Sequence, residues 1–266
     1  MGPPTEGEAT AVITYQELYR RVNEFAALLR EECGLTTCDR VTFHLPMVPE
    51  LPVAMLACAR LGAIHSEVFG GFSGTACGGR IADSGSHILV TTDAYHRNGT
   101  LVDHKTKADK AVAEAARQGQ QVDRVLVFRR YPGRYSSATP NGRGPRRLRR
   151  RPPPAYRGRL VEPVPMPAEA PLFLMYTNGT TGTPKGCQHS TGGYLAYVAG
   201  TSKYYQDIHT EDTYWCCADI GWITGHSYIV YGPWPSAPPA CCPTSPGTAP
   251  SRPPPATSAS SAGSTT

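Results

Sequence analysis

Hydrophobic positions recur with helical spacing in three separate parts of the first half of the chain. The first helix is predicted over residues 14–34, where a Thr14/Glu17 capping-box pattern opens it and Gly34 can end it. The other two helices are predicted over residues 50–60 and, in an alanine-rich stretch, over residues 105–118.

Short, largely apolar segments alternate with these helices and read as strands. They cover residues 41–45, 64–69, 88–92, 124–128 and 172–175. Strands that are separated by helices favour a parallel sheet with helices on both faces, because each crossover helix returns the chain to the same sheet. The pattern therefore predicts an α/β fold with a doubly wound, mostly parallel sheet, and ligands at the carboxyl ends of its strands.

The pattern stops in two places. Residues 141–159 hold eight arginines and no acidic residue, whereas the rest of the chain has 18 basic and 21 acidic residues. The net charge of +5 therefore comes from this one basic patch. Residues 235–266 are rich in Pro, Ser and Ala and contain no large apolar side chain. We therefore predict one partial domain over residues 1–234, interrupted by an Arg/Pro-rich loop at 141–159, and a disordered tail over 235–266.

Composition excludes some other classes of protein. No apolar run is long enough to span a membrane, and residues 1–10 lack the features of a signal peptide, so we expect a cytoplasmic protein with no membrane partner. The nine cysteines show no CxxC spacing, which favours reduced thiols and no metal site.

A Gly/Thr-rich run, YTNGTTGTPKG at residues 176–186, directly follows the last predicted strand. Glycines let backbone N–H groups converge on an anion, hydroxyls add donors, and Lys185 adds a positive charge, so the run has the chemistry of a phosphate cradle for ATP. It is not a Walker A loop, because Lys185 follows proline and precedes glycine. A flexible hairpin loop is the alternative interpretation.

This run resembles the signature of the AMP-forming adenylating enzymes, the acyl-CoA synthetase and ligase superfamily. The match departs at Asn178, where the family usually has serine. The resemblance implies that the ATP phosphates are bound by Thr177, Asn178, Gly179, Thr180, Thr181, Gly182, Thr183 and Lys185.

Longer segments resemble the acetyl-CoA synthetase branch of that family, over residues 11–135 and 160–234. The resemblance implies a small acyl pocket lined by Ile223 and Thr224, with Thr224 favouring acetate over propionate, and it implies that Arg97 contacts a phosphate of the CoA nucleotide. One departure is the adjacent pair Gly78 and Gly79, each of which would cost a helix about 1 kcal/mol.

The implied reaction has two steps. The acetate carboxylate attacks the α-phosphate of Mg²⁺-bound ATP to give acetyl-adenylate and diphosphate, and the CoA thiol then takes the acetyl group and releases AMP. ATP, Mg²⁺, acetate and CoA are thus the expected ligands. Family members are much longer and place the adenylation lysine in a C-terminal domain that this sequence lacks. We therefore expect a truncated fragment without a secure catalytic residue, inactive alone.

Other interpretations remain open. The chain could belong to a propionate or other short-chain ligase, or be a non-catalytic fragment with residual nucleotide binding. A nucleic-acid-binding role for the arginine patch is disfavoured, because Leu148 and Tyr156 are its only sizeable nonpolar side chains. Translation out of frame near residues 141–156 and from about residue 235 is a further hypothesis, which shifting the reading frame of the coding DNA would test.

Overall fold

The computed structural model describes residues 12–131, 146–149, 154–177, 184–209 and 212–233. These residues form an α/β structure around a seven-stranded sheet. Its helices are α1 (Tyr15–Cys33), α2 (Glu50–Leu61), α3 (Gly74–Ser84), α4 (His104–Arg117), α5 (Thr191–Tyr204) and the short α6 (Ile223–Gly225), which continues into a π-helical turn, His226–Tyr231.

The strands are β1 (Arg40–Leu45), β2 (Ile64–Phe69), β3 (Ile88–Thr92), β4 (Ala94–Arg97), β5 (Thr100–Asp103), β6 (Arg124–Arg129), β7 (Arg146–Arg149), β8 (Pro171–Thr177) and β9 (Lys185–Ser190). The large sheet has the order β7-β6-β3-β1-β2-β8-β9, and β4 with β5 forms a separate hairpin. All pairs in the large sheet are parallel except the antiparallel pair of β8 with β9. The predicted fold class is confirmed.

Helix ends follow the local signals in the sequence. The Thr14 hydroxyl accepts a hydrogen bond from the Glu17 amide at 3.2 Å, which satisfies one free N–H of the first turn of α1. Helices α1 and α2 both end at glycines in the left-handed conformation, Gly34 with φ 69° and Gly62 with φ 66°.

Two apolar clusters lie on opposite faces of the sheet. One joins α1 and α2 to inward-facing residues of β1, β3, β6 and β8, with Phe25, Phe43 and Phe173 among its largest fully buried members. The other packs α3 and α4 against the opposite face, through residues such as Cys77, Ile81 and Val112. Helices on both faces are the arrangement that a doubly wound sheet requires.

Helix α3 forms despite its glycines, and two of these glycines allow it to approach α4 closely. A β-carbon added at Gly74 would lie 2.4 Å from the Lys107 carbonyl oxygen, and one at Gly78 would lie 2.6 Å from the Ala111 carbonyl oxygen. Since no side chain larger than hydrogen fits there, the two helix backbones pack directly on each other.

The arginine-rich segment differs in part from the predicted loop. Residues 146–149 form β7, which pairs in parallel with residues 126–129 of β6 at the sheet edge, and Pro154–Tyr156 form a 3₁₀ turn with Tyr156 buried. Pairing at a sheet edge uses backbone groups alone, so a segment without apolar alternation can still add a strand. The predicted tail over 235–266 lies outside the described residues.

All seven cysteines within the described ranges are free thiols. Of the helices that the structure describes, none combines the length and apolar character of a membrane span.

Candidate functional site

The predicted phosphate ligands span Thr177 to Lys185, and this part of the Gly/Thr-rich segment, the phosphate-binding run, connects the antiparallel strands β8 and β9. Thr177 ends β8, Lys185 begins β9, and their Cα atoms are register partners, so the two ends of the run lie side by side. Both residues are exposed. The six predicted ligands between them, Asn178, Gly179, Thr180, Thr181, Gly182 and Thr183, lie outside the described residues.

The run begins at the carboxyl edge of the parallel sheet. Strand β8 pairs in parallel with β2, with His65 opposite Phe173 and Ser66 opposite Leu174, and β2 pairs in parallel with β1. The carboxyl ends of these three strands therefore meet at one edge, which is where ligands bind in open α/β sheets. The topology thus puts Thr177, the first of the predicted phosphate ligands, at the edge where this fold class binds ligands.

Tyr176, the residue before Thr177, links this edge to α3. Its hydroxyl donates a hydrogen bond to the Asp83 carboxylate at 2.6 Å, and the Arg80 guanidinium carbon lies 5.6 Å from the centre of its ring. Burial raises the pKa of Tyr176, so its hydroxyl remains a donor at neutral pH. The sequence shows the tyrosine beside the run but does not show its partner.

Phe69, at the carboxyl end of β2, joins two of the predicted sites. The Arg97 guanidinium carbon lies 5.2 Å from the centre of the Phe69 ring. The centre of the Trp222 ring lies 5.9 Å from the same point, and the planes of the two rings are tilted relative to each other. A β-carbon at Gly71 would lie 2.2 Å from the Arg97 Nη1 atom, so in this position the guanidinium packs directly against the glycine. Arg97 thus lies at the same sheet edge as the residues that precede the acyl-pocket positions.

The predicted acyl-pocket residues belong to a loop that packs on the ends of β1 and β2. The Ile220 amide contacts the Met47 sulfur at 3.2 Å, and a β-carbon at Gly221 would lie 3.0 Å from the Phe69 backbone. Ile223 and Thr224 follow in α6 and are exposed. The two side chains therefore directly follow Trp222, whose ring contacts Phe69, and both are exposed.

His226 anchors the far end of this loop in the core. Its Nδ1 donates to the Ile220 carbonyl oxygen at 2.6 Å, and burial lowers its pKa to about 4. Its ring stacks on His65, whose Nε2 lies 2.6 Å from the Tyr231 hydroxyl and whose pKa burial also lowers. Both histidines are therefore neutral at pH 7 and act as hydrogen-bonding core residues.

Two carboxyl groups at this edge carry unusual electrostatics. Glu67 on β2 is 3% exposed, and burial, together with the nearby charge of Asp219, raises its pKa well above the usual value. Burial also raises the pKa of Asp219, while the Arg97 charge and a 2.8 Å hydrogen bond from the Gly221 amide oppose that shift. A carboxylate residue inside the otherwise uncharged strand IHSEVF is the sequence signal for this pair.

Asp93 organises the neighbouring end of β3. Its carboxylate accepts hydrogen bonds from three backbone amides, those of Ala94 at 2.8 Å and of Arg130 and Tyr131 at 2.9 Å. The side chain is buried, so it links the carboxyl ends of β3 and β6 without access to a ligand.

Among the described residues, no group of three or more His, Cys, Asp or Glu side chains could hold a metal ion. Mg²⁺ usually keeps several water ligands and is held by one or two carboxylates together with substrate phosphates, so its binding does not require such a group.

Comparison with known proteins places this geometry in context. A family profile described as AMP-binding enzyme matches residues 7–251. The chain is 50% identical over 221 residues to acetyl-coenzyme A synthetases of Brucella canis and Brucella suis, which covers 83% of this chain and 33% of each relative. Its structure matches an acetoacetyl-CoA synthetase from Streptomyces lividans with a TM-score of 0.68 and 27% identity, over 84% of this chain and 33% of that one.

Proposed function

The chain belongs to the AMP-binding enzyme family, and we propose that it carries the ATP-phosphate and CoA-nucleotide binding part of an AMP-forming acetate–CoA ligase. It spans about a third of the length of the acetyl-coenzyme A synthetases that it matches. The observation that carries the proposal is the meeting of three predicted sites at one sheet edge: the phosphate run after β8, Arg97, and the loop leading to Ile223 and Thr224.

In the proposed reaction, the acetate oxygen forms a bond to the α-phosphorus of ATP as the bond to the leaving diphosphate breaks. The CoA sulfur then bonds to the acetyl carbon and AMP leaves. The cradle from Thr177 to Lys185 holds the β- and γ-phosphates and stabilises the charge that develops on the leaving group, which is an electrostatic role. Mg²⁺ would neutralise further charge on the phosphates when it is bound with ATP.

Arg97 suits the nucleotide phosphate of CoA, because a guanidinium presents paired N–H donors to phosphate oxygens. The side chain is exposed and rests on the Phe69 ring, so its charged end remains available to a ligand. Substituting Arg97 with alanine should weaken CoA binding to the chain, measured by calorimetry. Unchanged binding would remove Arg97 from the proposed site.

Acetate is the proposed acyl substrate, and a propionate or other short-chain ligase is the alternative. The choice of acetate rests on Thr224, where propionate-preferring relatives tend to carry valine. One methylene in such a pocket discriminates by only about 1–3 kcal/mol. Binding of acetyl and propionyl sulfamoyl-adenosine, compared by calorimetry, distinguishes the two: tighter binding of the propionyl compound would contradict the acetate assignment.

Phosphate binding is the part of the proposal that the chain can show by itself. We expect it to bind Mg²⁺-ATP and Mg²⁺-diphosphate, and we expect Lys185→Ala to weaken both about tenfold, as for a lost charge-assisted hydrogen bond. Lys203→Ala is the matched control, because Lys203 is an exposed lysine on α5 whose Nζ atom lies 5.3 Å from the centre of the Tyr204 ring. Equal binding by both variants would refute the cradle.

Catalysis is a separate question from binding. We expect the chain alone to show no acetate-dependent exchange between ATP and diphosphate, because it spans only about a third of the length of the acetyl-coenzyme A synthetases that it matches. Measurable exchange would show a working enzyme and would exclude the alternative of a non-catalytic fragment with residual nucleotide binding.

A further inference from the structure

We propose that Tyr176, Asp83 and Arg80 form a clamp that positions the phosphate-binding run, with Tyr176 as its central positioning residue. The inference rests on the proposed phosphate-binding function and adds the device that holds the two strands on either side of the run. The clamp residues lie on β8 and α3, and Tyr176 also contacts Gly186 on β9.

The first contact is the hydrogen bond from Tyr176 to Asp83. Its length of 2.6 Å is that of a charge-assisted bond between a hydroxyl and a carboxylate, and the Arg80 carbonyl oxygen lies 3.4 Å from the same hydroxyl. The tyrosine is half-buried while Asp83 is exposed, so the bond holds the end of β8 to the surface of α3.

The second contact is with Arg80, which lies over the tyrosine ring. Its side chain is almost fully buried, and its Nη1 donates to the Ala76 carbonyl oxygen at 2.8 Å, which fixes the guanidinium on α3. The guanidinium carbon lies 5.6 Å from the Tyr176 ring centre and 4.7 Å from that of Phe72, within the range of cation–π attraction. The ring is therefore held in place as well as its hydroxyl.

The third contact involves Gly186 on β9, the register partner of Tyr176. A β-carbon at Gly186 would lie 3.2 Å from the Tyr176 Cζ atom and 3.3 Å from Cε1, so the ring lies directly against the glycine backbone. Tyr176 and Gly186 each adjoin one end of the run, Thr177 and Lys185. Through this one ring, both strands that flank the run are fixed to α3.

Helix α3 is a firm support for such a clamp, because it packs backbone to backbone on α4 at Gly74 and Gly78. Fixing Thr177 and Lys185 beside each other positions the two described ends of the phosphate-binding run, and preorganisation of that kind increases affinity. We therefore expect loss of the Tyr176 hydroxyl to weaken phosphate binding while it leaves the stability of the fold nearly unchanged.

The test uses the full chain, with Mg²⁺-diphosphate and Mg²⁺-ATP as probes in calorimetry. Tyr176→Phe keeps the ring and removes the hydroxyl, and we expect both affinities to fall about three- to tenfold, the effect of one lost hydrogen bond. Tyr197→Phe is the matched control, because Tyr197 is a 68% exposed tyrosine on α5. The midpoint of urea unfolding should be nearly the same in both variants.

Asp83 allows the hydrogen bond to be separated from charge. Asp83→Asn and Asp83→Ala remove the same negative charge and differ in the acceptor oxygen, so we expect the alanine variant to bind at least threefold more weakly than the asparagine variant. Tyr176→Phe should have no further effect in the alanine background and should keep its effect in the asparagine background, since the two side chains share one interaction.

Each outcome separates the inference from the function on which it rests. If the unchanged chain binds neither probe, the proposed function fails and the inference fails with it. If the unchanged chain binds and Tyr176→Phe binds equally tightly, only the clamp is refuted. If Tyr176→Phe and Asp83→Ala weaken binding additively in the double variant, the two side chains act independently and the clamp is refuted. The clamp is also refuted if the losses of affinity parallel losses in the urea midpoint, because the tyrosine then has a purely structural role.

Discussion

Two adjacent glycines of α3 should respond to the same substitution in opposite directions. Gly78 is buried against α4, and a β-carbon there would meet the Ala111 carbonyl oxygen at 2.6 Å and the Glu114 Cβ atom at 2.6 Å. At Gly79 the nearest atom to a β-carbon is the Gln118 Nε2 atom at 3.7 Å, an ordinary contact with the end of a flexible side chain.

The magnitudes follow from this geometry. Alanine in place of glycine stabilises a helix interior by about 1 kcal/mol, and at Gly79 nothing opposes that gain. At Gly78 the contact is with a helix backbone that cannot move alone, so the cost of overpacking should reach about 2–3 kcal/mol. We therefore expect Gly79→Ala to raise the free energy of unfolding by about 1 kcal/mol and Gly78→Ala to lower it by about 1–2 kcal/mol.

Urea unfolding of both variants, followed by far-UV circular dichroism, measures these free energies. The two proteins should have the same denaturant slope, so that the midpoints alone report stability. A shift of the same sign in both variants would refute the reasoning, because it would mean that helix propensity decides both positions and that α3 does not pack backbone to backbone on α4.

Three further results are expected from single substitutions. Since burial and Asp219 raise the pKa of Glu67 above its usual 4.5, the folded chain holds a proton that the unfolded chain releases; stability should be full below about pH 4.5 and fall as pH rises through the folded-state pKa. Glu67→Gln should remove most of this loss of stability, which is measured as the difference between the urea midpoints at about pH 5 and about pH 8. If the variant loses as much stability as the unchanged chain between these pH values, the raised pKa of Glu67 is contradicted. Asp93→Ala should cost about 2–3 kcal/mol in urea unfolding, because the buried Ala94 amide and the partly buried Arg130 and Tyr131 amides lose their acceptor; a loss under about 1 kcal/mol would show that water replaces it. Tyr231→Phe should cost about 1–2 kcal/mol by leaving the His65 Nε2 atom without its 2.6 Å partner, and no change in the midpoint would show that this contact adds nothing.

The sheet edge illustrates how a binding surface arises from separate parts of the chain. Phe69 comes from β2, Arg97 from the β4–β5 hairpin, and Trp222 from the loop before α6, yet the three side chains contact one another through the Phe69 ring. A cation over an aromatic ring is attracted to its face while its N–H groups remain free for phosphate. This explains how an aromatic ring can orient an exposed arginine.

Local signals alone determined much of the fold. Strands β2 and β3 have the predicted bounds, α1 ends at Gly34 as expected, and α2 and β6 differ from the predicted ranges by one residue at one end. These features depend on side-chain periods and caps within a few residues, which the sequence displays directly. The same kind of signal identified the Gly/Thr run at the end of β8.

Contacts between distant residues were decided only by the tertiary structure. Tyr176 bonds to a carboxylate 93 positions earlier in the chain, and no local pattern marks Asp83 as its partner. Gly78 and Gly79 look equivalent in sequence, and only the position of α4 makes one of them necessary for packing. Strand β7 forms at the open edge of β6 from residues that carry no strand-like alternation. Backbone periods and caps are properties of neighbouring residues, whereas packing, burial and charge depend on which elements the fold brings together.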